Sequence, residues 1–401
     1  MDPFYAFIAA IILVSLIVPR LGPFMSLVVS AIVFGVLTGM SLELIGYVAT
    51  GLGRIFSSLA IVVFSGAVLA EYLRKTGAID RIVADLLGLT RRGLLVSGAA
   101  GYLISLPVMC SITAYMILEP VVSFLGDHTK EGSNRYLFMT AACSVISFNL
   151  IYPSPVMVSL SSSFNVEPFR LLERSVPISL ILFALAYAFM LRMPAGEVKP
   201  AEHLVPMAGR ARAWVPMILP MLLILLGALR EEAKLPGNPN VALLLGALLC
   251  IALAKDKLQD MIHVASRRSG VILLDLCGAG AFGYVVAQSG LGNEIYSLGQ
   301  FLPLLVLPFL VSSLIQLAQG SRVVTVVIAA QILTEYPLDG LTMILLISSG
   351  AFMFSYISDP FFWLIKNSTG AGMEGMVKGY SLPLSLMGLV AFGLAAISSC
   401  F

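Results

Sequence analysis

Apolar stretches long enough to cross a lipid bilayer recur from the first residues of this 401-residue chain to the last. A helix needs roughly 18 or more apolar residues to traverse about 30 Å of hydrocarbon. Of the whole chain, 59% is hydrophobic and 11% charged, against about 25% charged in ordinary soluble domains. No soluble domain can be carved out of it. The net charge of +2 and pI near 8.2 are too mild for a nucleic-acid partner, and no basic stripe with interleaved aromatics occurs. Cys110, Cys143, Cys250, Cys277 and Cys400 lie in apolar segments without CxxC spacing and read as small buried hydrophobes. His128, His203 and His263 fall far apart in polar connections, so no metal and no cofactor is expected. The run Phe4 to Val18 lacks a basic leader and is followed by another apolar run, so it reads as a first span.

Cutting at charged or Gly/Pro-rich punctuation gives apolar segments near 4–18, 22–39, 55–73, 93–126, 136–165, 176–192, 214–230, 239–254, 269–288, 298–334, 341–365 and 381–399. The segments 93–126 and 298–334 are too long for one crossing with ordinary tilt. Each is interrupted near its middle, at Leu106-Pro107-Val108-Met109-Cys110-Ser111 and at Ala318-Gln319-Gly320-Ser321-Arg322. As re-entrant hairpins they would place the loops at 74–92, 127–135, 193–213, 255–268 and 366–380 on one face. With the short turn at Arg20, and Arg192 at the loop margin included, that face collects 18 of the 24 Lys and Arg residues. The positive-inside rule makes it cytoplasmic. Ten crossings follow, with both termini outside.

Each half then has the same order of segments, and an odd number of crossings inverts the second half. The predicted fold is an all-α polytopic membrane protein built as an inverted repeat of two five-span halves, each with a re-entrant helical hairpin and a broken helix. The first half would occupy 1–193, a cytoplasmic linker 194–213, and the second half 214–401. Arg174-Ser175-Val176-Pro177 echoes Tyr380-Ser381-Leu382-Pro383, and Thr76-Gly77-Ala78-Ile79 echoes Ser289-Gly290-Leu291-Gly292. Inverted repeats with broken helices mark secondary transporters that bind solute near the midplane.

Non-helical backbone at membrane depth survives only inside protein or along a water-filled cavity. Four such places stand out: the two hairpin tips and the breaks near 147–155 and 356–360. Broken helices offer free N–H groups to anions and free C=O groups to cations. Arg322 is the sharpest residue, because a guanidinium at membrane depth is costly. It would either clamp a substrate carboxylate or pair with Asp359 to hold the hairpin in place. Asp359 is the first candidate for ion coupling and Asp275 the second. Glu71 reads as a solvated helix end beside Arg74 and Lys75. Gly278-Ala279-Gly280-Ala281-Phe282-Gly283 matches GxGxxG, but without a preceding strand it reads as small-residue helix packing.

At these same segments the chain resembles the gluconate permease family of the ion transporter superfamily. Ala318-Gln319-Gly320-Ser321 is similar to the family's AQGS signature, and Ser358-Asp359-Pro360-Phe361-Phe362-Trp363 to its NDSGFW segment. Tyr152-Pro153-Ser154-Pro155 resembles its PPHP segment, and Leu106-Pro107 the start of its first tip. The chain departs from that pattern at Ser111, where the family has a glutamate, at Ser154, where it has a histidine, and at Arg322, where it has a small residue. The resemblance implies two hairpins and two broken helices forming a mobile transport domain, beside a scaffold that forms a homodimer.

The expected function is secondary active transport of a small organic anion, a carboxylate or sugar acid, across a prokaryotic inner membrane, coupled to H⁺ or Na⁺. The partners are that anion and membrane lipid. Ser111, Thr113, Asn149, Ser154, Gln319, Gly320, Ser321, Arg322 and Ser358 would bind the anion, with Asp359 and Asp275 coupling the ion. A cation/proton antiporter is the alternative, and it would need acidic residues facing each other at the midplane. An enzyme is not expected, since no HExxH, paired intramembrane aspartates or nucleophile with a histidine base occurs.

Overall fold

The computed structural model describes residues 2–40, 43–90, 92–128, 133–193, 208–254, 258–298, 302–356 and 358–399. Most of the expected linker, His203 and Cys400 lie outside them. Among the described residues every regular element is helical, and seven helices are long and apolar enough to cross a membrane. Shorter apolar helices accompany them, Pro3–Val18 and Pro239–Ala254 among them.

Helix α1 (Pro3–Leu37) breaks at Gly22, whose φ of 74° suits a residue without Cβ. Phe7 and Phe34 both lie against Phe282, with ring centroids 6.1 and 6.5 Å away. A straight helix would hold them about 40 Å apart. The helix therefore folds back into two arms, matching the two segments read from sequence. Then come α2 (Leu44–Thr76), α3 (Ala78–Leu89), the pair α4 (Gly93–Val108) and α5 (Ser111–His128), the broken pair α6 (Ser133–Leu150) and α7 (Pro155–Phe164), and α8 (Pro168–Leu191).

The second half repeats that order. It runs through α9 (Arg210–Leu229), α10 (Pro239–Ala254), α11 (Leu258–Gln288), α12 (Leu291–Leu298), α13 (Val306–Gln319) and α14 (Arg322–Ile332). The broken pair α15 (Gly340–Gly350) and α16 (Pro360–Thr369) follows, then α17 (Met373–Met376), a π-helical turn at Val377–Ser381, and α18 (Leu382–Ser398). The echo after each third span has a backbone cause. Gly77 and Gly290 both adopt left-handed φ, 67° and 78°, and each turns a long helix into a short amphipathic one.

Helices α2 and α11 begin earlier than the third spans cut at 55 and 269. Charge and glycine mark where a helix leaves the hydrocarbon, whereas its backbone ladder continues beyond. Gly51 of α2 serves packing: a methyl group on Gly280 of α11 would stand 2.5 Å from the Gly51 carbonyl oxygen. Small residues let these two helices touch backbone to backbone, which accounts for the middle glycine of the GxGxxG pattern, while Gly278 lies against Phe24 of α1 and Gly283 against Gln331 and Ile328 of α14. Gly280→Ala is expected to cost about 1–3 kcal/mol by overpacking, measured as a lower apparent melting temperature in detergent. An unchanged melting point would refute the close approach of α2 and α11.

Candidate functional site at the second hairpin tip

The tip between α13 and α14 is made by Gly320, at φ 66°. Its backbone lies directly on the break between α15 and α16: a methyl there would meet the Ser358 carbonyl and stand 2.6 Å from the Asp359 nitrogen. This contact brings the start of α14 to the start of α16. Arg322 is the first residue of α14, and Asp359 caps α16 by accepting a bond from Phe361 N at 2.8 Å.

Between them lies a buried ion pair. Nη2 of Arg322 donates to Asp359 Oδ2 at 3.0 Å, to Ser355 Oγ at 2.7 Å and to Tyr380 Oη at 3.0 Å. Tyr380 donates to the same Asp359 oxygen at 3.2 Å. Arg322 is 5% exposed, while Asp359 and Tyr380 are fully buried. Ser381 Oγ donates to the Ser355 carbonyl, fixing the closing span to the break. All the guanidinium's hydrogen bonds among the described residues run from Nη2, and Nε is buried without a partner. A guanidinium has five N–H donors, so this one keeps unspent capacity.

The first tip turns at Met109, at φ 56°, and rests on Gly66 of α2, where a methyl would stand 2.6 Å from Met109 Cβ. Ser105 and Ser147 share a hydrogen bond that ties α4 to α6. Ser111 begins α5 as Arg322 begins α14, and Ser154 caps α7 by accepting from Met157 N at 3.2 Å, as Asp359 caps α16. Asn149 is fully buried, and neither its Nδ2 nor its Oδ1 has a partner. The halves also brace each other. Tyr115 of α5 hydrogen-bonds Ser368 of α16 at 2.7 Å and meets Phe361 edge-on, while α14 packs on α7.

Arg322, Gly320, Ser358 and Asp359 thus meet in one place, with Gln319 and Ser321 on the same tip. Ser111, Asn149 and Ser154 belong to the first tip and first break. Thr113 lines a different cavity, beside the end of α2. Asp275 accepts from Phe24 N at 3.2 Å, capping the α1 arm that restarts after Gly22. Glu71 corrects the expectation of a solvated helix end. Its side chain is fully buried and held by Arg74 at 2.7 Å and by Arg268 of α11 at 2.9 Å, because α11 covers the side of α2 that carries it.

Sequence reasoning missed Tyr380, Ser355, and the buried Gln316–Thr325 bond of 2.8 Å inside the second hairpin. Tyr380–Ser381 was visible only as a repeat echo. The π-helical turn that carries both residues leaves no sequence signature.

An all-helical membrane fold in which two helix pairs end inside the protein, against two broken helices, defines a secondary transporter. More particularly, the chain belongs to the GntP family of permeases, whose family model matches residues 3–400. It is similar to the low-affinity gluconate transporter of Escherichia coli K12, with 25% identity over 92% of each chain. It is 26% identical to the Gnt-II system L-idonate transporter of the same organism, over 97% of each. Among solved structures it resembles the Alcanivorax borkumensis YdaH transporter, with a TM-score of 0.64 and 16% identity over 90% of this chain and 89% of that one. This is a family of permeases and not of enzymes.

Proposed function

We propose that the protein carries a sugar acid of the gluconate and idonate class across a bacterial inner membrane by alternating access, with H⁺ or Na⁺ as coupling ion. The observation that carries this reading is Arg322, buried at a hairpin tip with donors unspent. The buried amide nitrogens of Gln319 and Asn149, also unpartnered, add donors at the second tip and the first break, and a polyhydroxy carboxylate is rich in acceptors. The names of the similar transporters support the substrate class. Ser111, Ser154, Gly320, Ser321 and Ser358 complete the substrate shell, and Asp359 is the coupling group.

The matched order of elements supports two inverted halves, 1–193 and 214–401, joined by a cytoplasmic linker, with ten crossings and both termini outside. The exposed apolar faces of α1, α9 and α10 provide surface for lipid and for a second copy in a homodimer. The antiporter reading is weaker, because Asp359 is salt-bridged and Asp275 caps α1 rather than facing it.

The test is a thermal-shift screen of the purified protein against gluconate, idonate and neutral glucose, each with and without Na⁺. A ligand that binds the folded state raises apparent stability by mass action. Stabilisation by the acids but not by glucose is expected; stabilisation by a bare cation alone would replace this reading with the antiporter. Asp359→Asn is expected to stop uptake while the protein still elutes as a folded species on gel filtration, since asparagine can keep the cap on Phe361 N. Wild-type uptake by that variant would remove Asp359 from coupling.

A further inference from the structure

A cavity of about 320 Å³ lies away from the Arg322–Asp359 pair, between the end of α2, the start of α3 and the returning arm α5. That volume is within the usual range of small-molecule sites. It begins at Thr113, two residues from Ser111 at the first tip, and runs along α5 past Met116 to Pro120. On the facing wall stand Arg74 of α2 and Arg268 of α11.

Both arginines are preset by one group. Glu71 has no exposed surface, and its two oxygens are taken by Arg74 Nε and Nη2 and by Arg268 Nη1. The guanidiniums keep further N–H groups, and their side chains are 46% and 39% exposed. A carboxylate needs one cation for neutrality, so Glu71 fixes the geometry of two and leaves a positive charge at the cavity wall. The first turn of α3 opens onto the same space through Ile79 and Asp80, adding the positive end of a 12-residue helix dipole. Asp80 opposes this field from within the cavity lining, and Asp260, paired with Lys75, also acts on Arg74 from outside it. Among the described residues no ion pair joins Asp80 to either arginine, so an incoming carboxylate competes with Asp80 for the uncancelled charge.

We propose that this cavity is a second anion site, in which Arg74 and Arg268, held by Glu71, bind the carboxylate of the transported acid beside the first hairpin tip. The proposal rests on the sugar-acid reading above, and Thr113 marks where the site meets the tip. Glu71 acts as a positioning residue that need not touch the acid.

Equilibrium dialysis of the purified full chain with labelled gluconate tests it by stoichiometry. Wild type is expected to bind two gluconates, Arg268→Gln one and Arg322→Ala one, lost from different sites. Arg268→Lys, which keeps the charge, is expected to recover binding at the second site in part. Asp80→Asn is expected to tighten that site roughly 3-fold by removing the opposing charge. If wild type binds no gluconate, the sugar-acid reading itself fails, and this proposal with it. One gluconate per wild-type chain, or two on Arg268→Gln, overturns the second site alone. Should Arg268→Gln not survive purification, Asp80→Asn decides: unchanged affinity at both sites overturns the proposal.

Discussion

Arg322→Ala is expected to abolish gluconate uptake, and two separate effects contribute. The first is loss of the only cation among the described residues at the second tip. The second is structural: Asp359 would keep its burial and lose its counter-charge, and removing one partner of a buried pair costs about 3–5 kcal/mol. The double variant Arg322→Ala, Asp359→Asn separates them. Without the stranded carboxylate it should regain most of the wild-type melting temperature. It should still bind one gluconate fewer than the wild type in dialysis, and still fail to carry gluconate in uptake into proteoliposomes. Uptake restored in the double variant would make Arg322 a structural anchor and nothing more.

Gly320→Ala is expected to be equally damaging, although it removes no polar group. Its φ of 66° costs a residue with Cβ about 1–2 kcal/mol, and the added methyl would collide with the Ser358 carbonyl. Backbone cannot step aside as a flexible side chain can. The tip and the break would be forced apart, separating Arg322 from Asp359 and Ser355. Uptake should fall at least 100-fold while the protein still inserts in the membrane. Near-normal uptake would show that tip and break need not touch.

The membrane class, the two helix pairs and the two breaks were all legible in the sequence, because each has a local cause. Pro107 and Gly320 interrupt runs too long for one crossing, and Pro153, Pro155 and Pro360 cannot continue a helix. The Arg322–Asp359 pairing was one of the two alternatives open at that stage, since two opposite charges at membrane depth in adjoining breaks have few other partners. What stayed hidden depends on which distant segments touch. Glu71 sits near basic neighbours in sequence, yet its burial is decided by Arg268 and α11. Tyr380 enters the site through a π-helical turn in an otherwise apolar span. The glycines of α11 announced close packing without naming Gly51 of α2 as a partner. Asp275 could not be told from a coupling carboxylate before its bond to Phe24 N was known.

The same physics links fold to mechanism. A hairpin tip resting on a broken helix spends few backbone hydrogen bonds on itself, so its free N–H groups and buried side chains remain available to a solute. Placing Asp359 in contact with the arginine also gives an incoming carboxylate something to displace. In the proposed mechanism, binding of the acid and pairing with Asp359 are alternatives at one guanidinium, which would link substrate binding to ion coupling.

Counterflow of labelled gluconate in proteoliposomes tests the central claim most directly. Vesicles preloaded with unlabelled gluconate should take up external label transiently above equilibrium, with saturation, and Arg322→Ala vesicles should not. Label that enters linearly without overshoot, or no gluconate flux in the wild type, would contradict the account.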